Sequence, residues 1–329
     1  MRPLRILVVI VNYRSATLSI ESLRSLAAEV EGLPGLRAVV VENDSGDDSL
    51  EVLQQAVQSE GWGSWAEILP SDRNGGYAYG NNFAIRPALA STEPPDYVHL
   101  LNPDTLVRPG AVQALVKFLE ERPDVGIAGS SFENADGSLW PIAFRFPSLL
   151  SELDRGLQLG VVTKLLQNWV VPRTMEQKEA QVDWMPGASM MIRRAVFEKI
   201  GLMDDDYFLY FEETDFFLQA RRAGWTAWYV PKSRVMHIRG QSTGVTQLSE
   251  QPKRLPDYWF ESRQRYFVKN YGLFYTGLTD IVWMVAYALW RVRRVIQRKP
   301  DKDPPFMLAD FFRNSVLQKR VVKRAEKGI

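Results

Sequence analysis

The chain has 329 residues, of which 46% are hydrophobic and 24% are charged, the composition of a packed globular protein. Its length is enough for one large or two modest domains, and disorder along the whole chain is excluded. It has no cysteine and only two histidines. A disulfide framework, a thiolate zinc site, a cysteine nucleophile and a site of three or more histidines are therefore excluded.

Charge is unevenly distributed along the chain. The formal net charge is +1, but residues 291–329 hold 12 Lys and Arg against 4 Asp and Glu. A basic tail on a mildly acidic body indicates a partner with an anionic surface, either a membrane or a nucleic acid. A solvated helical tail has the same composition, and the sequence leaves both interpretations open.

The N-terminal half alternates apolar strand segments with helical segments. Strands this apolar are buried on both faces, so the alternation predicts an α/β fold with a mostly parallel sheet flanked by helices. Strands are predicted at Ile6–Val11, Ala38–Val41, Ala66–Leu69, Tyr97–Leu101 and Val125–Ala128. Helices are predicted at Ala16–Val30, Ser49–Gln58 and Asn81–Ala90, and from Pro109 to about Glu121.

The first apolar run is short, ends in Asn12-Tyr13 and lacks a small-residue cleavage site. We therefore interpret it as a buried strand rather than a signal peptide. No run reaches the roughly 18 apolar residues of a membrane span, and Leu278–Trp290 comes nearest.

The second half is less regular. Residues 131–183 mix Trp, Pro and Phe with helical stretches and are predicted to be a variable excursion. Order returns at Asp183–Ile192, followed by a helix from Ala195 to about Gly201. An amphipathic helix is predicted at Glu212–Ala223, because Gly224 is a helix-ending signal. A strand at Trp225–Val230 follows, and residues from about 255 onward are predicted to be helical.

Polar residues gather where the predicted strands end. Asn12-Tyr13, Glu42–Ser45 and Asn102–Asp104 each follow an apolar strand. Ligands of open α/β sheets bind beyond the carboxyl ends of the strands, so the repetition favours one common site.

Asp104 and His237 are the candidate metal ligands. A carboxylate and a nucleotide diphosphate together suit Mg²⁺ or Mn²⁺, and an added imidazole favours Mn²⁺ over Ca²⁺. Gly240 and Ser242 suggest a loop whose backbone approaches a phosphate. The alternatives are an Asn-Pro-Asp turn and a structural histidine. His99, inside an apolar strand, is interpreted as structural.

The segment Asn74–Asn82 is a glycine-rich loop before a helix, which permits close backbone approach to a ligand. The helix N-terminus that follows can attract an anion. The loop matches neither a Walker A loop nor the dinucleotide fingerprint, which argues against an NTPase or a dehydrogenase. The alternative is a flexible turn.

Glu212-Glu213-Thr214-Asp215 opens the amphipathic helix. Transfer of a group to an acceptor hydroxyl needs one carboxylate as general base, which takes the proton from that hydroxyl as it attacks. The aromatic segment Tyr207–Phe211 could partly desolvate such a carboxylate and raise its pKa. Acidic residues at a helix start also stabilise the helix dipole, which is the structural alternative. Asp204–Asp206 is interpreted as a solvated loop.

Over about residues 5–245 the chain resembles glycosyltransferase family 2, most of all its bacterial rhamnosyltransferase-like members. The resemblance rests on seven motifs in order: Val11-Asn12-Tyr13, Glu42-Asn43-Asp44-Ser45, Asn74–Asn82, Asn102-Pro103-Asp104, Gly187-Ala188, Glu212–Asp215 and His237-x-x-Gly-x-Ser.

The resemblance implies a GT-A fold, a nucleotide-diphosphate-sugar donor and transfer with inversion at the anomeric carbon. It implies a glycosyltransferase domain at 1–250, with a nucleotide-sugar half at 1–110 and an acceptor and catalytic half at 111–250. Residues 251–329 would be a helical, basic extension.

The resemblance also assigns roles to individual residues. Asp104 and His237 would hold a divalent metal, and Gly187 and Ala188 would lie beside the acceptor. The donor site would be formed by Asn12, Tyr13, Glu42, Asn74, Gly75, Gly76, Gly80, Asn81, Asn102 and Asp104.

Three departures from the family pattern affect these roles. The acidic motif of the family usually reads Glu-Asp-x-Asp with its second residue as base, so the role falls here on Glu213, with Asp215 and Glu212 as reserve candidates. Glu42 stands where the family often has Asp. Asn102 stands where a stricter Asp-x-Asp motif has Asp, which leaves Asp104 with most of the charge at the metal.

The expected donor is a dTDP- or UDP-linked sugar, and dTDP-L-rhamnose fits the resemblance. The expected acceptor is a saccharide or a polyprenyl-diphosphate-linked glycan in cell-surface polysaccharide synthesis. Two alternatives are a sugar nucleotidyltransferase, for which Asn12–Ser15 makes a poor triphosphate loop, and a non-catalytic sugar- or membrane-binding protein that kept the fold.

The apolar block Ile281–Trp290 directly precedes an arginine cluster. This pattern favours a helix lying in a membrane interface over one packed on the catalytic domain. We expect a cytoplasmic protein with peripheral contact to the inner face of the plasma membrane and no nucleic-acid partner.

Overall fold

The computed structural model describes residues 2–134, 136–140, 142–237 and 252–318. The chain divides into two compact units. The sheet unit comprises Met1–Phe144, Thr174–Phe208 and Glu212–Thr246, and the helical unit comprises Arg145–Arg173, Leu209–Phe211 and Gln247–Ile329. The helical unit thus takes in residues 145–173 and 209–211 as well as the C-terminal extension expected from residue 251.

Twelve strands and ten α-helices lie in the described residues. The strands are β1 Ile6–Asn12, β2 Leu36–Glu42, β3 Ala66–Pro70, β4 Tyr97–Leu101, β5 Thr105–Val107, β6 Val125–Glu133, β7 Leu139–Trp140, β8 Ile142–Phe144, β9 Pro172–Thr174, β10 Ala180–Val182, β11 Ser189–Arg193 and β12 Thr226–His237. The helices are α1 Ala16–Val30, α2 Ser49–Ser59, α3 Gly76–Ala90, α4 Ala111–Glu121, α5 Leu149–Leu157, α6 Gly160–Leu165, α7 Arg194–Ile200, α8 Glu212–Arg222, α9 Asp257–Ile296 and α10 Met307–Arg313.

The sheet unit is built on one mixed sheet with the strand order β10-β12-β6-β11-β4-β1-β2-β3. Strands β4, β1, β2 and β3 run parallel, as the βα alternation predicts. The α/β fold class is confirmed. The sheet is less uniformly parallel than expected, because β11 inserts antiparallel between β4 and β6.

Helices cover both faces of this sheet, so its central strands are buried on both sides. On one face Val8 and Ile10 have no exposed surface and pack in one core with Leu23 of α1 and Leu119 of α4, and on the other face Val9 and Val41 have none. Burial of this kind stabilises a fold by about 1.5–3 kcal/mol per large aliphatic side chain. The core fixes the strands that carry the polar residues at their carboxyl ends.

Three boundaries differ from the predicted ones for local reasons. Helix α3 begins at Gly76 rather than Asn81, so the second half of the glycine-rich segment is helical. Helix α4 begins at Ala111, because Gly110 before it adopts a left-handed φ of 82°. Strand β12 runs on to His237, beyond the predicted end at Val230, and its pairing with β6 shifts register after Val230.

The helical unit is organised around α9, which is broken at Gly272, where φ is 80°. Arg263 is buried and bonds two carboxylates, Glu152 at 2.8 Å and Asp280 at 2.7 Å. The ring of Trp283 stacks on Phe311 of α10, with a centroid separation of 3.9 Å. These contacts bury one side of α9 within its own unit.

Within the described residues, one helix, α9, is long and apolar enough to cross a membrane by length and composition, and 33% of its most apolar window is buried. The sequence contains no unbroken apolar run of that length. The difference arises because the apolar window of α9 tolerates the single charged residue Asp280.

Candidate active site

The first part of the site lies where β1 and β2 end side by side. The two strands are in register, so that Asn12 pairs with Glu42. The Asn12 carboxamide is fully buried: its oxygen accepts hydrogen bonds from Ser15 and Ser19 at 3.2 and 2.9 Å. The Glu42 carboxylate accepts the backbone N–H of Ser45 at 3.0 Å. Both side chains therefore shape the loops that surround the site.

Asn43 joins the end of β2 to the glycine-rich segment. Its amide donates to Asn74 Oδ1 at 3.1 Å and to the Gly76 carbonyl at 3.3 Å. Asn74 Oδ1 also accepts the backbone N–H of Gly76 at 3.1 Å. The sequence motif contained Asn43 but gave it no role, and its burial is the property that sequence reasoning missed.

Glycine is required at two positions of this segment. Gly76 has φ +86°, and a Cβ there would lie 1.8 Å from the carbonyl oxygen of Phe208. A Cβ on Gly80 would lie 2.7 Å from the Val11 side chain, so Gly80 lets α3 pack closely on β1. The glycines therefore serve backbone packing within the sheet unit.

The start of α3 is already occupied by protein acceptors. The N–H of Gly76 donates to Asn74, and the N–H of Tyr77 donates to the Phe208 carbonyl at 3.0 Å. The sequence analysis expected this helix N-terminus to attract an anion. These two N–H groups are engaged within the protein, so they are not available to a phosphate in this conformation.

The other predicted donor residues surround this segment. Asn81 is buried and donates to the Tyr77 carbonyl at 2.9 Å. A Cβ on Gly75 would lie 2.3 Å from the ring of Tyr79. Tyr13, at the end of β1, is half-buried beneath the guanidinium of Arg14, 5.2 Å from its ring centre.

Asp104 and His237 meet because of strand register. Strand β5 pairs antiparallel with β12, and Thr105 lies opposite His237, which places the imidazole beside the residue that precedes Thr105. His237 Nε2 is 3.4 Å from Asp104 Oδ1, and Asp104 is buried. The Asn102 carbonyl accepts the Thr105 hydroxyl at 2.6 Å, which closes the turn that carries Asp104.

The pair fits a divalent cation. Two ligand atoms that each lie about 2.1 Å from one ion are roughly 3.0–3.4 Å apart, which matches the Asp104–His237 separation. Within the described residues, no group of three His, Asp or Glu side chains could hold a metal, so the remaining ligands would come from a bound diphosphate and water.

Aromatic rings fix the orientation of His237. The Phe132 ring lies 5.5 Å and the Trp140 ring 6.3 Å from the imidazole centre. Both rings belong to strands that pair with each other, β6 and β7. The neighbouring Gly240, Gln241 and Ser242, expected in a phosphate-binding loop, lie outside the described residues.

Gly187-Ala188 joins the separate parts of the site. The Gly187 carbonyl accepts a hydrogen bond from the Tyr77 hydroxyl at 2.8 Å. The Gly187 N–H donates to the Glu213 carboxylate. The Ala188 carbonyl accepts the N–H of Asn102 at 3.0 Å. One dipeptide thus bonds to the glycine-rich segment, the acidic helix and the strand end that leads to Asp104.

Glu212 and Glu213 form a buried carboxylate pair at the start of α8. Burial and the charge of Glu213 raise the pKa of Glu212 well above its usual range. Burial also raises the pKa of Glu213, while the N–H groups of Glu213 and Gly187 and a hydrogen bond from Glu212 lower it. Ionisation of both carboxyl groups together is therefore disfavoured, and the N–H groups of Glu213 and Gly187 favour the charge on Glu213.

Asp215 lies two residues further along α8 and is buried. Its Oδ1 accepts a hydrogen bond from Gln219, one turn later, at 3.1 Å. In contrast, Glu213 Oε2 has no hydrogen-bond partner within the described residues. This oxygen is buried, and Glu212 Oε2 is likewise buried without a hydrogen-bond partner within the described residues.

Tyr77 is a residue of the site that sequence reasoning left out. Burial raises its pKa well above the usual value, with a further contribution from the charges of Glu213 and Glu212. Its position in the glycine-rich segment was visible in the sequence. Its bond to the Gly187 carbonyl was not, because it joins residues 110 positions apart.

The comparisons with known proteins identify the class. The family model "Glycosyltransferase like family 2" matches residues 3–254. The chain belongs to this family, and the resemblance drawn from its motifs is confirmed.

Within the family, the chain is similar to rhamnosyltransferases. The N-acetylglucosaminyl-diphospho-decaprenol L-rhamnosyltransferase of Mycobacterium tuberculosis is 32% identical over 188 residues, 54% of this chain and 60% of that protein. Rhamnosyltransferase WbbL of Escherichia coli is 26% identical over 164 residues, 49% of this chain and 60% of that protein. The matches thus span less than two thirds of the length of these relatives.

A solved structure supports the fold. Mannosyltransferase PcManGT from Pyrobaculum calidifontis, in complex with GDP-Man and Mn²⁺, superposes with a TM-score of 0.54 at 16% identity, over 99% of this chain and 84% of that one. The predicted GT-A fold is confirmed.

Proposed function

We propose that the chain is an inverting glycosyltransferase that moves L-rhamnose from a nucleotide-diphosphate sugar to a saccharide or a polyprenyl-diphosphate-linked acceptor in cell-surface polysaccharide synthesis. The observation that carries the proposal is that Gly187-Ala188 makes backbone hydrogen bonds on two sides, to Glu213 and to Asn102. This dipeptide links the ionisable carboxylate Glu213 to the strand end that leads to Asp104 and His237. A base and a metal-binding pair held by one rigid segment are what this reaction needs.

Asp104 and His237 would hold the cofactor, Mg²⁺ or Mn²⁺. When bound, the cation supplies neutralisation of the charge that develops on the leaving diphosphate. The contribution of the protein is to keep a carboxylate and an imidazole close together, since Thr105, next to Asp104, pairs with His237 and the Phe132 and Trp140 rings pack near the imidazole.

Glu213 acts as the general base on the acceptor hydroxyl. Burial and the neighbouring carboxyl group disfavour ionisation of both glutamates together, and the N–H groups of Glu213 and Gly187 favour the charge on Glu213. A raised pKa makes Glu213 a stronger base than an ordinary glutamate near neutral pH. The N–H of Gly187 bonds to the Glu213 carboxylate, and Oε2, which is buried and has no hydrogen-bond partner within the described residues, is the oxygen we propose to take the acceptor proton.

The relatives support the substrate class. Two of them carry rhamnosyltransferase in their names, and one name specifies an N-acetylglucosaminyl-diphospho-decaprenol acceptor. A solved structure with the same fold contains GDP-Man and Mn²⁺. Because two relatives are named rhamnosyltransferases, dTDP-L-rhamnose is the donor to test first, with UDP-linked sugars as the alternative.

The test is a transfer assay with dTDP-L-rhamnose, a polyprenyl-diphosphate-linked N-acetylglucosamine acceptor, and Mg²⁺, Mn²⁺ or EDTA. Glu213→Gln should lower turnover by roughly 10²–10⁴-fold while donor binding is retained, since general base catalysis has this magnitude. Asp104→Asn and EDTA should each abolish metal-dependent donor binding, measured by calorimetry.

Glu51→Gln is the matched control, because Glu51 is an exposed carboxylate in the first turn of α2. It should leave turnover and donor binding unchanged. Near-normal turnover of Glu213→Gln would show that another group is the base. If no nucleotide sugar binds with either metal, the glycosyltransferase proposal fails.

A further inference from the structure

The part of α9 that follows Gly272 has an unusual surface. In residues 273–296, every exposed side chain is apolar. The nine are Leu273, Phe274, Leu278, Ile281, Val285, Leu289, Val292, Val295 and Ile296. Most are spaced three or four residues apart, so they form one stripe, which we call the apolar stripe.

The exposure is large and continuous. Phe274 is 88% exposed at one end and Ile296 is 75% exposed at the other. A helix of 24 residues is about 36 Å long. Leu317, which is 45% exposed, extends the stripe beside Gly277. Soluble monomers rarely expose a contiguous apolar surface of this extent without a partner for it.

The opposite face of the same helix segment is packed inside the helical unit. Asp280 is buried and bonded to Arg263, and Trp283 and Tyr287 stack against each other at 4.8 Å. Tyr287 and Trp290 both donate to the Asp303 carboxylate. A helix that crossed a bilayer here would bring these buried charges and their partner helices into the hydrocarbon, which is costly.

Positive charge is concentrated at the C-terminal end of the stripe. Arg298, Lys299 and Lys302 are exposed just beyond Ile296. Asp301 is bonded by Arg291 at 2.7 Å, so its negative charge is compensated. The sequence from 291 to 329 carries a large excess of Lys and Arg. An apolar stripe that ends in a basic block complements an anionic lipid surface.

We propose that the apolar stripe docks this protein on an anionic phospholipid bilayer, with residues 273–296 lying in the plane of the interface rather than across it. The stripe enters the headgroup boundary, and the basic block beyond Ile296 pairs with lipid phosphates. The inference deepens the proposed function and rests on it only in one respect, that a polyprenyl-linked acceptor resides in such a membrane. It also assigns the protein to the cytoplasmic leaflet, which carries the anionic lipids.

The test is flotation of the full chain with vesicles of phosphatidylcholine alone and with added phosphatidylglycerol. The protein should float with the anionic vesicles, and high salt should weaken binding without abolishing it. Val285→Glu with Leu289→Glu, both more than half exposed, should weaken partitioning by about tenfold or more, since each loses the burial of one aliphatic side chain.

Gln54→Glu with Gln58→Glu is the matched control. Both residues are exposed on α2 of the sheet unit and have the same four-residue spacing and added charge. This variant should float like the wild type. If it loses binding equally, the effect is one of net charge and the docking proposal is overturned.

Three further results would overturn the proposal. The first is equal flotation of the Val285/Leu289 variant and the wild type. The second is retention in the membrane after carbonate extraction, which indicates a membrane span. The third is a wild-type dimer that the same variant converts to a monomer, which indicates that the stripe binds a second copy of the chain. Donor binding without vesicles is measured alongside. Normal donor binding with lost flotation concerns the stripe alone, whereas absent donor binding in the wild type contradicts the proposed function instead.

Discussion

Replacing Gly76 with alanine tests how the glycine-rich segment is held. At this position φ is +86°, and an added Cβ would lie 1.8 Å from the carbonyl oxygen and 2.6 Å from the carbonyl carbon of Phe208. Both atoms belong to the backbone, so no side-chain rotation relieves the clash. The Phe208 carbonyl also accepts the N–H of Tyr77, and its displacement breaks this bond.

The expected loss of stability has two parts. An alanine in the left-handed region costs about 1 kcal/mol. Forcing extra volume against a packed backbone costs a further 1–3 kcal/mol or so. Gly61 separates the parts, because its φ is +70° and nothing lies within 4 Å of its Cβ position. Gly61→Ala should therefore lose about 1 kcal/mol and Gly76→Ala about 2–4 kcal/mol.

Urea unfolding followed by circular dichroism measures both variants against the wild type. Donor affinity is measured in parallel, because the shift at Gly76 also displaces Asn74, which bonds to its N–H. Affinity should fall in Gly76→Ala and stay unchanged in Gly61→Ala. Equal destabilisation of the two variants would refute the close contact between Gly76 and Phe208.

Two further predictions concern groups buried in the sheet unit. Tyr77→Phe leaves the Gly187 carbonyl without its hydroxyl donor, so Gly187 is held less firmly and its N–H is positioned less well to stabilise ionised Glu213. This should lower kcat/KM by roughly tenfold and move the acid limb of the pH profile upward. A loss of thermal stability with an unmoved acid limb would mean a structural role. Burial lowers the pKa of His99 from 6.5 to about 4. Between these pH values the unfolded chain binds a proton that the folded chain does not, so the stability present above pH 6.5 is lost as the pH falls toward 4. The difference in unfolding free energy between the wild type and His99→Gln should therefore change by about 3 kcal/mol between pH 7 and pH 4, and a pH-independent difference would contradict the burial of His99.

The parallel half of the fold could be predicted from the sequence because its signals are local. The strands Ile6–Val11 and Ala38–Val41 were placed to within two residues at each end, and helix Ala16–Val30 matches α1. A continuous apolar run followed by polar residues identifies a buried parallel strand and its functional end. Asn12 and Glu42 consequently fell at adjacent strand ends, as the observed register places them.

The other half depends on pairings between distant residues. The antiparallel insertion of β11 between β4 and β6 has no local signal, because its sequence is compatible with either direction. The juxtaposition of Asp104 and His237 depends on the pairing of β5 with β12, across more than a hundred residues. Motif chemistry indicated that the two belong together, and only the register explains how.

The acidic start of α8 had two interpretations, a helix-dipole device and a catalytic base, and the structure distinguishes their physical signatures. Carboxylates placed to stabilise a helix dipole are exposed and have a lowered pKa. Glu212 is buried, and the pKa of both glutamates is raised although the helix amides act to lower it. A folded-state pKa above the unfolded one gives stability at low pH that is lost as the pH rises, so ionisation of this pair opposes folding. The chain also enters α8 through two non-glycine residues with left-handed φ, Tyr210 and Phe211. Left-handed backbone at Tyr210 and Phe211 and buried carboxyl groups at the start of α8 both lower the stability of the fold. A purely stabilising role does not explain them, which favours the base interpretation.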